Sequence, residues 1–193
     1  MSAKKMEQNR KIDMTTKSIN PSVYNIVSKR NIFEEARERI NCKQNGATVI
    51  IPHVCNNINI FNGGFAAVVA KEYPIVRENY SVLGTQMRLG YTQFVSVAKN
   101  SDYGYEIIFA NMIAQNKIKS SKNVRPLNYA ALTHCMSYVK MYSKQYRKDN
   151  ENLKVELHCP KFGSGLAGGD WRFISELIKD SWSDIRNIFV YTL

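Results

Sequence analysis

The chain has 193 residues, 44% hydrophobic and 22% charged, a balance that suits one globular domain around one core. No apolar run reaches the ~18 residues needed to span a bilayer as a helix. Lysine and arginine total 27 against 16 acids, a net charge of +11. That surplus suits an anionic ligand or a nucleic acid, and equally a solubilising surface.

The first 20 residues are polar and aperiodic, so they read as a flexible tail preceding a domain over residues 21–193. They lack the apolar centre of a signal peptide, and the protein is expected in the cytoplasm, without a membrane partner. VYNIVS (23–28) reads as a strand, and NIFEEARERI (31–40) as a helix, with Ile32, Phe33, Ala36 and Ile40 at helical spacing. ATVIIPHV (47–54) is a continuous apolar run, the mark of a strand buried on both faces. A turn-rich stretch follows, then a helix over FAAVVAKEY (65–73) that Pro74 ends. YTQFVSVA (91–98) and YEIIFANMI (105–113) form an expected strand pair across a turn. Residues 115–125 read as a polar loop carrying Lys117, Lys119, Lys122 and Arg125. A helix then begins near Pro126. VELHCP (155–160) is a strand, WRFISELIKDSW (171–182) a helix and NIFVYTL (187–193) a final strand. Strands alternating with helices predict an α/β domain of three layers with a largely parallel sheet.

Ligands of such sheets bind beyond the carboxyl ends of the strands. Two strand-to-helix connections there are glycine-rich, FNGGF at 61–65 and FGSGLAGGD at 162–170. Glycine lets backbone N–H groups turn toward a ligand, and helix N-termini favour anions. The two loops are therefore candidates to hold a diphosphate, with ordinary tight turns as the alternative. Neither fits a Walker A or a dinucleotide fingerprint. His53 offers an acid/base and Asn56 an amide for a sugar hydroxyl, unless both serve only the local turn. Asp170 reads as the cap of the last helix and Trp171 as a core residue. Cys42, Cys55, Cys135 and Cys159 are scattered, without metal-ligand spacing, so neither a metal nor a cofactor is expected.

Eight segments in order resemble the macro domain, the ADP-ribose-binding module: VSKRNIF, TVIIPHVCN, FNGGFAAVVAKEYP, LGYTQFVSV, IIFANMIAQ, RPLNYAAL, HCPKFGSGLAGGDW and FVYTL. They are most similar to the branch that includes terminal ADP-ribose protein glycohydrolase and related bacterial and phage proteins. The resemblance implies an α/β/α sandwich with a mixed sheet. It places ADP-ribose in a cleft at the strand ends. Asn31, followed by Ile32, falls where many macro domains have an aspartate that reads adenine. Asn56 falls near the distal ribose. Gly63, Gly64 and Phe65 match the first phosphate loop, and Gly163, Ser164, Gly165, Leu166, Ala167 and Gly168 the second. The glycohydrolase's lysine is replaced by Gln115 and its loop aspartate by Ala167. Lys117 lies two residues from the lysine position and reaches it only if the loop bends.

Three functions follow from the resemblance. The first is hydrolysis of an ADP-ribose derivative, an ADP-ribosyl group on a macromolecule or ADP-ribose 1″-phosphate, by a held water with His53 and Asn56 assisting. The second is capture of ADP-ribose without turnover. The third is action on ADP-ribosylated nucleic acid rather than ADP-ribosylated protein, which the charge suggests.

Overall fold

A computed structural model describes residues 24–150 and 153–192. The tail expected over residues 1–20 lies outside the described residues, as do the first and last residues of the two terminal strands expected above. The elements are β1 (Asn25–Ser28), α1 (Ile32–Asn41), β2 (Thr48–Asn56), α2 (Gly64–Glu72), α3 (Pro74–Ser81), β3 (Thr92–Lys99), β4 (Glu106–Gln115), α4 (Tyr129–Asp149), β5 (Val155–Pro160), α5 (Trp171–Ser181) and β6 (Ile188–Thr192). They form one six-stranded sheet in the order β1-β6-β5-β2-β4-β3. All neighbours are parallel except β3, which pairs antiparallel with β4 along one edge.

The sheet is covered on both faces, which is why β2 reads as a continuous apolar run. Alternate residues serve opposite layers. Val49 and Ile51 of β2, with Ile107 and Phe109 of β4, pack under α1, α2 and α3. Ile50, Ile108 and Met112 pack under α4 and α5. The expected three-layer sandwich is the observed one.

Three local expectations gain detail from the structure. Pro74 does end α2, but it also opens α3 as its first residue, where its missing N–H costs nothing and its fixed φ suits a helix. Pro126 is buried two residues ahead of Asn128, and it is Asn128 that caps α4, its side chain accepting from the Ala131 N–H. Trp171 is only half-buried, whereas Trp182 is the fully enclosed indole, its N–H donating to the Met136 carbonyl.

Candidate functional site

Asn56, Gln115 and Pro160 end β2, β4 and β5 on the same side of the sheet. Two adjoining cavities lie at these carboxyl ends, one of about 240 Å³ and one of about 140 Å³. Gly63, Gln115 and Leu166 line both, so the cavities are two halves of one cleft. Their sizes place the cleft near the lower end of small-molecule sites, roughly 300 Å³ and above.

The two glycine loops face each other across this cleft. Leu166, 58% exposed, leans over the first loop, its Cδ1 only 3.0 Å from where a Cβ on Gly63 would sit. The first loop runs into α2, whose N-cap position, Gly63, supplies no side-chain cap. Its first N–H groups and its dipole are therefore open to an anion. The second loop differs. Asp170 caps α5, accepting from the Arg172 N–H, and Arg172 pairs with the same carboxylate. The expected cap is correct, and α5 thus already carries a carboxylate where the sequence reading had offered an open N-terminus to a ligand. That loop contributes backbone instead, with Gly163, Gly165, Leu166 and Ala167 lining the smaller cavity.

His53 also lines the smaller cavity, yet it is 1% exposed. It sits in β2 directly across from Asn111 of β4, which in turn faces Gln93 of β3. That register builds a polar row. The His53 Nε2–H donates to Asn111 Oδ1 at 2.6 Å, Asn111 Nδ2 donates to Gln93 Oε1 at 2.9 Å, and Gln93 Nε2 donates to the Asn79 carbonyl at 2.9 Å. Phe61, Phe65 and Phe109 stand edge-on around the imidazole. Burial holds the His53 pKa down to about 4, against the opposing pull of the Asn111 hydrogen bond. The ring is neutral, with one tautomer selected by its partner.

Asn56 lines the larger cavity, but its side chain is spent on the local turn. Its Oδ1 accepts from the Ile58 N–H at 3.0 Å and the Ile60 N–H at 3.1 Å, and its Nδ2 donates to the Ile60 carbonyl. Tyr80 donates to its backbone carbonyl. The turn alternative raised for Asn56 is therefore the arrangement seen.

Asn31 and Ile32 line neither cavity. Asn31 caps α1, its Oδ1 accepting from the Phe33 and Glu34 N–H groups, while Ile32, the first residue of α1, is buried. With Oδ1 engaged, the free function of Asn31 is the Nδ2 donor, the reverse of an aspartate's. Gly64 and Phe65 line the smaller cavity, whereas Ser164 and Gly168 line neither. Lys117 lines neither cavity. It bends away at φ +59, held by its N–H to Asn57 Oδ1 and by Gln115 Nε2 to its carbonyl. The cations that do line the cleft are Lys119, one of the four basic loop residues named from the sequence, and Lys161, which the sequence reading did not single out.

A second polar network lies outside the cleft. Glu156 is fully buried and accepts from Arg39 through two bonds of 2.9 Å, from Lys154, and from His158 Nε2 at 3.1 Å. The Tyr191 hydroxyl completes it at 2.7 Å from His158 Nδ1. Burial alone would raise the Glu156 carboxyl, but the His158 and Lys154 hydrogen bonds and the Arg39 charge bring it to about 2. Each polar group here is satisfied by another, which marks a structural network.

No family model matches the chain, and no curated protein matches it by sequence. Solved structures do. A protein of unknown function from Bacteroides thetaiotaomicron superposes with a TM-score of 0.66 at 25% identity, covering 89% of this chain and 100% of that one. A macrodomain protein from Streptomyces coelicolor gives a TM-score of 0.60 at 24% identity, covering 88% and 99%. Thermosipho africanus DarTG in complex with ADP-ribose gives 0.59 at 12% identity, covering 86% of this chain and 52% of that one. The α/β/α sandwich is therefore of a known class. It is the macrodomain fold.

Proposed function

We propose that this chain binds ADP-ribose, with the diphosphate held between the two glycine loops. One observation carries the reading: an uncapped helix N-terminus at Gly63 faces glycine backbone at 163 and 165 across a cleft at the strand ends. N–H donors at a helix start recognise phosphate oxygens without a cationic side chain. Lys119 and Lys161 add positive charge to the two halves of the cleft. The solved neighbour with ADP-ribose bound shares this fold.

The side chains of the cleft support capture more strongly than turnover. His53 is neutral and too weak a base for proton transfer near neutral pH. Asn56 is occupied by its turn, and Gln115 and Ala167 offer neither a nucleophile nor a carboxylate. Hydrolysis of an ADP-ribosyl group is the second reading, favoured by Gln115. Its side chain reaches both halves of the cleft and its Oε1 is left to orient a water.

Calorimetry with free ADP-ribose is the test, with one site saturating at sub-millimolar ligand expected. No heat at that concentration sinks the reading. A panel of ADP-ribosylated protein, ADP-ribosylated DNA and ADP-ribose 1″-phosphate, followed for product release, separates the two versions. Turnover abolished by Gln115→Ala would favour hydrolysis, and absence of release would favour capture.

A further inference from the structure

Between Glu106 and Asp149 the sequence holds no acidic residue and eight lysines and arginines. Four of those, Lys117, Lys119, Lys122 and Arg125, fall in the loop that leaves β4 beside the cleft. All four are exposed, and none joins an ion pair among the described residues. A surface that merely needs solubility mixes signs, as α1 does with Arg37–Glu72 and Arg30–Glu35.

Aromatic faces accompany these cations. The Arg125 guanidinium lies 4.8 Å above the Tyr129 ring, and Phe173 stands edge-on to Tyr129 at 4.7 Å while remaining 49% exposed. The pair abuts the second glycine loop. The Val124 carbonyl lies within 2.7 Å of where a Cβ on Gly168 would sit, and the Tyr129 hydroxyl accepts from the Asp170 N–H. Lys119 lines the larger cavity. Unpaired cations beside the cleft, with the exposed Phe173 ring next to them, match the two demands of a single strand: phosphate neutralisation and base stacking.

We infer that the rim of the cleft is a track for single-stranded nucleic acid. Its phosphodiesters meet Lys117, Lys119, Lys122 and Arg125, and a base stacks on Phe173. The inference rests on the ADP-ribose reading only in one respect, that the track leads a modified strand to the cleft. The track itself binds strand without modification.

The experiment is fluorescence anisotropy with a labelled, unmodified single-stranded oligodeoxynucleotide, titrated at low and moderate salt, beside calorimetry with ADP-ribose. About four neutralised phosphates predict a slope of log affinity on log salt near −3, or roughly a 50-fold loss from 50 to 200 mM. Lys117→Glu with Lys122→Glu should cut oligonucleotide affinity at least ten-fold. Phe173→Ala should cut it about ten-fold. Neither should move ADP-ribose binding, because none of the three lines the cleft. No oligonucleotide binding at low salt, binding indifferent to these substitutions, or equal affinity for a polyglutamate of the same charge overturns the track. Oligonucleotide binding without ADP-ribose heat leaves the track standing and overturns the proposed function instead.

Discussion

The two glycine loops look alike in sequence and are built for different ends. At 63–65 the chain opens a helix start, and the only atoms that would touch a Cβ on Gly63 or Gly64 belong to Leu166 from across the cleft. At 163–169 most glycines serve the loop's own path. Gly163 and Gly168 hold φ of +76 and +71, and a Cβ on Gly169 would come within 2.4 Å of Leu127 Cδ2 and 2.7 Å of the Gly163 carbonyl. Gly165 alone in that loop meets nothing within 4 Å. Glycine richness thus mixes residues needed for folding with one that leaves backbone bare for a ligand.

Substitutions can break that distinction. Gly169→Ala drives a methyl into backbone, and we expect a loss of about 3 kcal/mol, read as a melting temperature lower by roughly 6–12 °C. A melt within a degree of the parent would show the loop to be pliable and the distinction false.

Acid titration separates the cleft from the network at Glu156 with effects of similar size. His53 has its folded pKa depressed from 6.5 to about 4. Between those values the unfolded imidazole takes up a proton that the folded one refuses. Stability is therefore full above pH 6.5 and falls as pH drops toward 4, by roughly 3 kcal/mol. Glu156, depressed to about 2, holds its contribution above 4.5 and loses it as pH falls from there toward 2. Denaturant melts of His53→Asn should lose the upper window and keep the lower. Glu156→Gln should do the reverse, and identical profiles for both would refute the assignment.

Gly165→Ala should leave the melt within about 0.5 kcal/mol of the parent while weakening ADP-ribose about ten-fold. Unchanged affinity in calorimetry would place the ligand elsewhere. The smallest effect is at Asn31, where alanine removes the α1 cap for about 1 kcal/mol and aspartate restores it. Equal melting of the alanine and aspartate variants would dismiss the capping role.

The regular elements were legible because burial on two faces leaves a continuous apolar run in the sequence and burial on one leaves a period. β5 and the Asp170 cap were read to the residue, since short apolar runs and caps are local signals. α3 was missed because one proline both closes a helix and opens the next. The roles of His53 and Asn56 were left open between site and turn, because their partners come from strand register and from a tight turn that spacing alone does not reveal. The Glu156 network joins residues 117 positions apart, and nothing local announces it. The unlike use of the two glycine loops was equally hidden, because what crowds Gly169 is Leu127, reached only after folding.

The pairing of β1 with β6 carries a consequence for how the chain assembles. Ser28 and Thr192 meet through their hydroxyls across 164 residues, and among the described residues β1 has no other neighbour in the sheet. On a ribosome adding about 5–20 residues per second, β1 waits some 8–30 s for its partner. In that interval β2 and β4 already have each other. The sheet therefore grows outward from its middle, and its β1 edge is the last part sealed.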